Sequence, residues 1–520
     1  MNCELKKGRS SKTFLYFICL VAAMGGLLFG YDWVVIGGAK PFYELYFGIS
    51  SLPVLQGVAM STALIGCLIG AMVAGALADR FGRKPLLTTA AVLFTVSAIA
   101  TGAFNDFALF NVARFVGGIG IGVASTLSPM YIAEVAPAEI RGRLVSLNQM
   151  TIVLGILAAQ IVNWLLARPV PDGFTNADIL ASWNGQMGWR WMFWAETVPA
   201  ALFLIMSFFI PESPVFLGLR STGQQVNGST GQPMEQRAEN GVYSNYPESR
   251  QRSSEAQQVN ESTGLQVNKS TDGAASGEWS LLQLSRVATE VERSSTSLQE
   301  RVGLRELGLR KYRRVLVLGL VIAVFQQWCG TNVIFNYAQE IFAGAGFNVD
   351  DMFINIVITG IANVVFTIVA LYTIERWGRR TLMLIGAGGL GLIYLTLGTC
   401  YFFQVKGVAM VVLVVAAIAC YAMTLGPVTW TLLAEIFPHR IRGVAMATCT
   451  FALWVGCCTL TFSFPSMNAA LGSSGTFWIY SAICASAFLF LLRRCPETKG
   501  KSLEELENDL VKSSTTFNEE

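Results

Sequence analysis

The sequence predicts an all-α membrane protein: twelve transmembrane helices in two pseudo-symmetric six-helix bundles, both termini cytoplasmic. Three observations predict it. The 520 residues are 53% hydrophobic and only 14% charged, a balance too apolar for a soluble chain of this length. Apolar runs of about 20 residues, enough to cross a hydrocarbon core of about 30 Å, recur along the chain. Short charged motifs occur twice, in the same order, after equivalent runs.

The runs lie at about 14–36, 55–78, 86–105, 109–132, 147–167 and 190–211, then 314–337, 351–373, 381–403, 408–433, 444–466 and 474–492. The first is longer than a signal-peptide core and no small-residue cleavage site follows it, so it is read as a span. Basic residues gather in alternate connections: Lys6, Lys7, Arg9 and Lys12 before the first span, Arg80, Arg83 and Lys84 after the second, Arg141 and Arg143 after the fourth. Arg376, Arg379 and Arg380, then Arg440 and Arg442, then Arg493, Arg494, Lys499 and Lys501 continue the pattern. The intervening connections carry little beyond Lys40, Arg168 and Lys406. The positive-inside bias therefore puts both termini in the cytoplasm.

"DRFGRKPL" from Asp79 is matched by "ERWGRRTL" from Glu375, "AEVAPAEIRGR" from Ala133 by "AEIFPHRIRG" from Ala434, and "PESP" from Pro211 by "PETKG" from Pro496. The expected organisation is an N-terminal bundle at 1–211, a cytoplasmic loop at 212–313, a C-terminal bundle at 314–495 and a tail at 496–520. Within the loop, "QVNGST", "QVNEST" and "QVNKST" are a small tandem expansion, and 221–277 is too polar to repay the entropy of ordering. Its Asn227, Asn260 and Asn268 match a glycosylation pattern, which a cytoplasmic loop makes accidental. The stretch from Ser280 has the apolar spacing of one or two surface helices.

Several function classes are excluded. A net charge of +3 is too small for a nucleic-acid binder. The eleven cysteines are scattered and mostly lie inside apolar runs, with no metal-ligand spacing and no disulfide framework, and the single histidine, His439, sits in a loop. "GAGGLG" at 386–391 matches a dinucleotide fingerprint in letters, but inside an apolar span and with no acid about 20 residues later. "CPETKGKS" ends like a phosphate loop without its leading glycine. No enzyme, cofactor or metal is implied.

An ionisable group inside a span is costly unless paired or wet, which marks it as functional. Asp32 in "FGYDWVVIGG", Arg114 in the fourth span and Glu196 in the sixth fall at similar depth in the outer half. If the carboxylate parts from its arginine it takes up a proton, and that exchange couples proton movement to transport. A permanent ion pair that only fixes helix packing is the alternative.

The seventh span carries "FQQWCGTNVIFNYAQE". Its Gln326, Gln327, Asn332 and Asn336, interleaved with Trp328 and Tyr337, offer uncharged donors and acceptors beside aromatic faces, as a sugar requires. Asn363 and Trp430 extend the cluster. Amides serving as glue between helices remain the alternative. "LGPVTW" at 425–430 holds a Gly-Pro pair that breaks helical hydrogen bonding, as a hinge lining a cavity does.

With "FGYD", "DRFGRK", "ARFVGGIGIG", "SPMYIAEVAPAEIRGRL", "PESP", "FQQWCGTN", "ERWGRR", "GPVTWTLLAEIFP" and "PETKGKSLEEL", the chain resembles the sugar porter branch of the major facilitator superfamily. It is most similar to bacterial proton-coupled xylose permeases, over roughly 10–220 and 300–508. The resemblance implies alternating access around a central sugar site. It makes Asp32 the proton-coupling acid with Arg114 and Glu196 as partners. Gln326, Gln327, Asn332 and Trp430 become sugar contacts, with Phe29, Tyr337, Asn363 and Trp454 lining or adjoining them. Arg83, Glu134, Arg143, Glu212, Glu375, Arg379, Glu435, Arg442 and Glu497 match cytoplasmic charges that latch the halves in the outward-facing state; solvated loop charges that only set orientation are the alternative.

The chain departs from the pattern at Ile156, where a glutamine is expected and Gln160 follows one turn later, and at Leu453, where the xylose permeases carry glutamine. Two hydroxyl partners are missing or moved, so the xylose-binding set is not reproduced. Val215 replaces a usual arginine and Gln339 a usual proline. The expected function is a proton:monosaccharide symporter for a pentose or hexose, acting as a monomer in the lipid of a cell membrane. The alternatives are a facilitative uniporter and a sugar sensor signalling through the long loop.

Overall fold

The computed structural model describes residues 2–137, 140–171, 173–217, 310–438, 441–499 and 505, with backbone alone at 2–12, 142, 310–311 and 375. The expected disorder at 221–277, the surface helices at 280–309, the three glycosylation matches and His439 lie outside the described residues. Residues Pro214–Gln299 form a unit separate from the rest, described only at 214–217 as one helical turn.

Among the described residues every element is helical. The first half comprises α1 (Asn2–Tyr46), α2 (Pro53–Phe81), α3 (Arg83–Ala103), α4 (Phe107–Val135) and α5 (Arg141–Leu166). Short pieces follow: α6 (Asn176–Ala181), a π-turn at Asn184–Gly188, α7 (Trp189–Ala195) and α8 (Thr197–Ser207). The second half comprises α9 (Arg310–Trp328), α10 (Thr331–Asn336), α11 (Ala338–Gly344), α12 (Val349–Trp377), α13 (Arg379–Phe402), α14 (Val408–Met423), α15 (Leu425–Ile436) and α16 (Arg442–Arg494).

Among the described residues ten helical stretches are long and apolar enough to cross a membrane. One of them, α16, has 53 residues, about 80 Å at 1.5 Å per residue, so it exceeds two bilayer cores. It turns at Gly472, where φ is 68° and ψ 172°. The apolar run at 190–211 is absent from the ten because it is divided: Pro199 has no N–H to give the Ala195 carbonyl, and the chain tightens to a Glu196 N–H to Phe193 O bond of 3.1 Å. Glu196 therefore stands at a joint between α7 and α8.

Two further expectations are corrected. The seventh span is not one helix, because Gly330 at φ +90° ends α9, and Tyr337 separates α10 from α11. In "LGPVTW" the break falls earlier than the Gly-Pro pair, at Thr424: Pro427 cannot donate to the Met423 carbonyl, so α14 stops there and α15 begins.

Packing repeats between the halves. The pairing of α1 with α5, α2 with α4 and α3 with α8 is matched by α9 with α16, α12 with α14 and α13 with α16. Between the halves α2 lies on α16 and α5 on α12. Apolar side chains such as Met72, Val112, Leu392 and Val412 face outward, as lipid contact requires.

Candidate functional site

Asp32 on α1 and Arg114 on α4 meet in a buried ion pair, both at most 3% exposed along the side chain. Arg114 Nη2 also donates to the Asp32 backbone oxygen at 3.3 Å, and its guanidinium lies 5.4 Å from the Phe193 ring centroid. Glu196, buried at the α7–α8 joint, adjoins both charges. The Glu196 carboxyl lies within hydrogen-bond reach of that of Asp32. Two carboxyls and one guanidinium are thus gathered in a desolvated place.

Across from this cluster, the break at Gly330 turns Asn332 back over the end of α9. Four polar groups then run head to tail: Asn332 Nδ2 donates to Gln327 Oε1, Gln327 Nε2 to Gln326 Oε1, and Gln326 Nε2 to the Tyr421 hydroxyl at 2.7 Å. Asn332 also lies 3.9 Å from Cys457 Sγ. The run as a whole presents donors and acceptors without charge. Nearby, Trp454 packs against Phe29 and Trp33, both with centroids at 5.9 Å. The Tyr337 hydroxyl is committed to Thr461 O at 2.7 Å and its ring to Phe464 at 4.4 Å. Asn363 is buried, and Trp430 is 37% exposed.

Gln160 is 1% exposed against Gly360 of α12, and neither end of its amide has a protein partner. Ile156 and Leu453 stand apolar where glutamines were expected.

The repeated motifs form two matching constellations at one end of the helix array. Arg83 Nη2 pairs with Glu134 at 3.0 Å, and Arg379 Nη2 with Glu435 at 3.0 Å. Ser213 donates to Glu134, and Thr498 to Glu435 at 2.6 Å. Glu212 accepts the backbone N–H groups that open α3, and Glu497 those that open α13. Arg442 donates to Phe437 O at 3.2 Å. Arg143 is placed at the start of α5, and Glu375 is described by its backbone alone. The pairs Arg83–Glu134 and Arg379–Glu435 each lie within one half.

At the opposite end the halves are joined. Gln339 Nε2 donates to Gly38 O at 2.6 Å, Lys40 pairs with Glu340, and Phe42 stacks on Phe353 at 6.3 Å.

One family model, described as sugar (and other) transporter, matches residues 18–510. The chain belongs to this family. It is 34% identical over 530 residues to the D-xylose-proton symporter of Escherichia coli, covering 96% of each chain. It is 33% identical over 503 residues to the arabinose-proton symporter of Bacillus subtilis, again covering 96% of each. The inward-open structure of the E. coli xylose transporter superposes with a TM-score of 0.71 at 33% identity, covering 95% of this chain and 99% of that one. Membership of this transporter family places the chain among carriers rather than enzymes.

Sequence reasoning missed several residues of this carrier's interior. Tyr421, Trp33 and Cys457 carry no pattern that distinguishes them from other apolar-span residues. Lys40 was read as a loop charge, although Glu44 four residues later on the same helix was a signal that it is paired inside.

Proposed function

We propose that the chain is a proton-coupled monosaccharide symporter of the cell membrane, taking up a pentose or hexose by alternating access. The observation that carries the reading is the buried Asp32–Arg114–Glu196 cluster beside an uncharged amide run. A titratable group sits where the proton is needed, and neutral hydrogen-bonding groups sit where the sugar is needed. The joint at Glu196 and the breaks at Gly330 and Thr424 lie in this same interior, so helix pieces can move there without new backbone cost.

In this reading the chain crosses twelve times, with α16 supplying two crossings and α7–α8 together one, and both termini are cytoplasmic. The bundles are 1–211 and 314–495. The motif end then faces the cytoplasm and the Lys40 end faces outside. Closure at the Lys40 end, with motif charges paired inside each half, is the arrangement of an inward-facing carrier. Arg83, Glu134, Arg143, Glu212, Glu375, Arg379, Glu435, Arg442 and Glu497 exchange these pairs for cross-half contacts when the cytoplasmic side closes. Gln326, Gln327, Asn332, Trp430, Asn363 and Trp454 bound the sugar, with Phe29 and Tyr337 as apolar walls. Gln160 adds a hydroxyl contact from α5. Sugar contacts strengthen closure, and proton uptake at Asp32 frees it from Arg114 so that both ligands move together.

Uptake of labelled pentoses and hexoses into proteoliposomes, with and without an inward proton gradient, tests the reading. Gradient-driven accumulation of at least one sugar is expected. Equilibration that ignores the gradient would make the protein a uniporter.

A further inference from the structure

Three charges meet where α1 approaches α11, at the end opposite the repeated motifs. Lys40 is 3% exposed. Its Nζ lies 2.7 Å from Glu44 on the same helix and also pairs with Glu340 of the other half. It sits 5.4 Å from the Tyr337 ring centroid. The Glu44 side chain is 8% exposed and that of Glu340 31%, and both line a cavity of about 430 Å³ together with Ser50, Gln56 and Asn468.

A buried ammonium stripped of its partners costs far more than the pair returns, so a lysine here must keep an anion in every state the protein visits. Its two carboxylates differ in one respect. Glu44 is one turn away on α1 and moves with Lys40, whereas Glu340 belongs to the other half and leaves when the halves part. Glu340, already partly wet, gains water from the cavity when released. Neither charge is orphaned by opening, so the cross-half pair can break and re-form at modest cost. The adjacent Gln339 to Gly38 bond of 2.6 Å holds the same seam.

We propose that Lys40–Glu340 is a charge latch that holds the outer mouth shut in the inward-facing state, with Glu44 as the carboxylate that keeps Lys40 paired when the mouth opens. The inference rests on the transport reading above, in which this end faces outside. It assigns opposite roles to two carboxylates on one lysine: Glu340 resists opening and Glu44 permits it.

Amide hydrogen exchange of the full chain in lipid nanodiscs, read over peptides covering 45–56 and 341–352, tests this. Glu340→Gln is expected to exchange about tenfold faster than the parent at both peptides, while Glu44→Gln exchanges no faster than the parent. Parent-like exchange in Glu340→Gln, or equal acceleration in both variants, would overturn the latch and leave a static ion network. Should Glu340→Gln fail to fold, Glu340→Asp carries the comparison: a smaller acceleration supports the latch and the parent's rate overturns it. Exchange reads opening without sugar or proton. A parent that ignored a proton gradient would therefore overturn the symport reading and leave this comparison intact.

Discussion

Glu212 and Glu497 occupy matching places in the two halves and make the same bonds. Glu212 Oε1 accepts from Arg83 N at 2.9 Å and Lys84 N at 3.2 Å; Glu497 accepts from Arg379 N at 3.0 Å and Arg380 N at 3.2 Å. Each carboxylate thus caps the first turn of a helix that follows a left-handed glycine, Gly82 at φ 99° and Gly378 at φ 82°.

An anion on unpaired N–H groups at a helix start combines a cap with the helix dipole. Glu212→Ala and Glu497→Ala are each expected to destabilise the protein by about 1–2 kcal/mol. The Gln variants, which keep an acceptor, lose about half as much or less. Thermal unfolding in detergent measures both, and Ala variants that melt with the parent would contradict the capping role.

The Tyr421 hydroxyl terminates the amide run by accepting from Gln326 at 2.7 Å. Tyr421→Phe leaves that donor unpaired and lets the glutamine swing out of register. The apparent sugar KM is expected to rise about 3–10-fold with turnover within about twofold. An unchanged KM would show that Gln326 is held by other contacts.

Gly330 is confined twice. Its φ of +90° is unfavourable for any residue with a Cβ, and a Cβ there would meet the Tyr480 ring at 2.9 Å. Gly330→Ala is expected to cost about 1–2 kcal/mol and to displace Asn332 from Gln327, weakening sugar binding more than the stability loss alone explains. Sugar-dependent shifts of the melting temperature, compared between parent and variant, separate the two effects. Equal shifts would dissociate the turn from the site.

The helical architecture was legible because apolar runs of membrane length and doubled motifs are statements about solvent and topology, and both act locally on the sequence. Helix interruptions were legible only in part. Pro427 announced a break, but its consequence lands at the Met423 carbonyl four residues back, so the helix parts at Thr424, and Pro199 similarly produced the joint at Glu196. Gly330 opens a Gly-Thr-Asn stretch inside a run of membrane length, and Asn332 was read there as a sugar contact rather than as turn chemistry, so the division of α9 from α10 was hidden. Asp32, Arg114 and Glu196 were legible because charge in a span is conspicuous. Tyr421 and Cys457 were not, since a tyrosine or cysteine in a span has no distinguishing cost. The Lys40 contact to Glu340 joins residues 300 positions apart, which periodicity cannot see.

In the proposed transport cycle Asp32 carries the coupled proton while Arg114 holds its charged form. The direct measurement is sugar accumulation in proteoliposomes under an inward proton gradient, comparing the parent with Asp32→Asn, and counterflow in the same vesicles. The parent is expected to concentrate sugar above equilibrium, whereas Asp32→Asn is expected to exchange sugar in counterflow but only to equilibrate it. An Asp32→Asn variant that concentrates sugar as the parent does would contradict it.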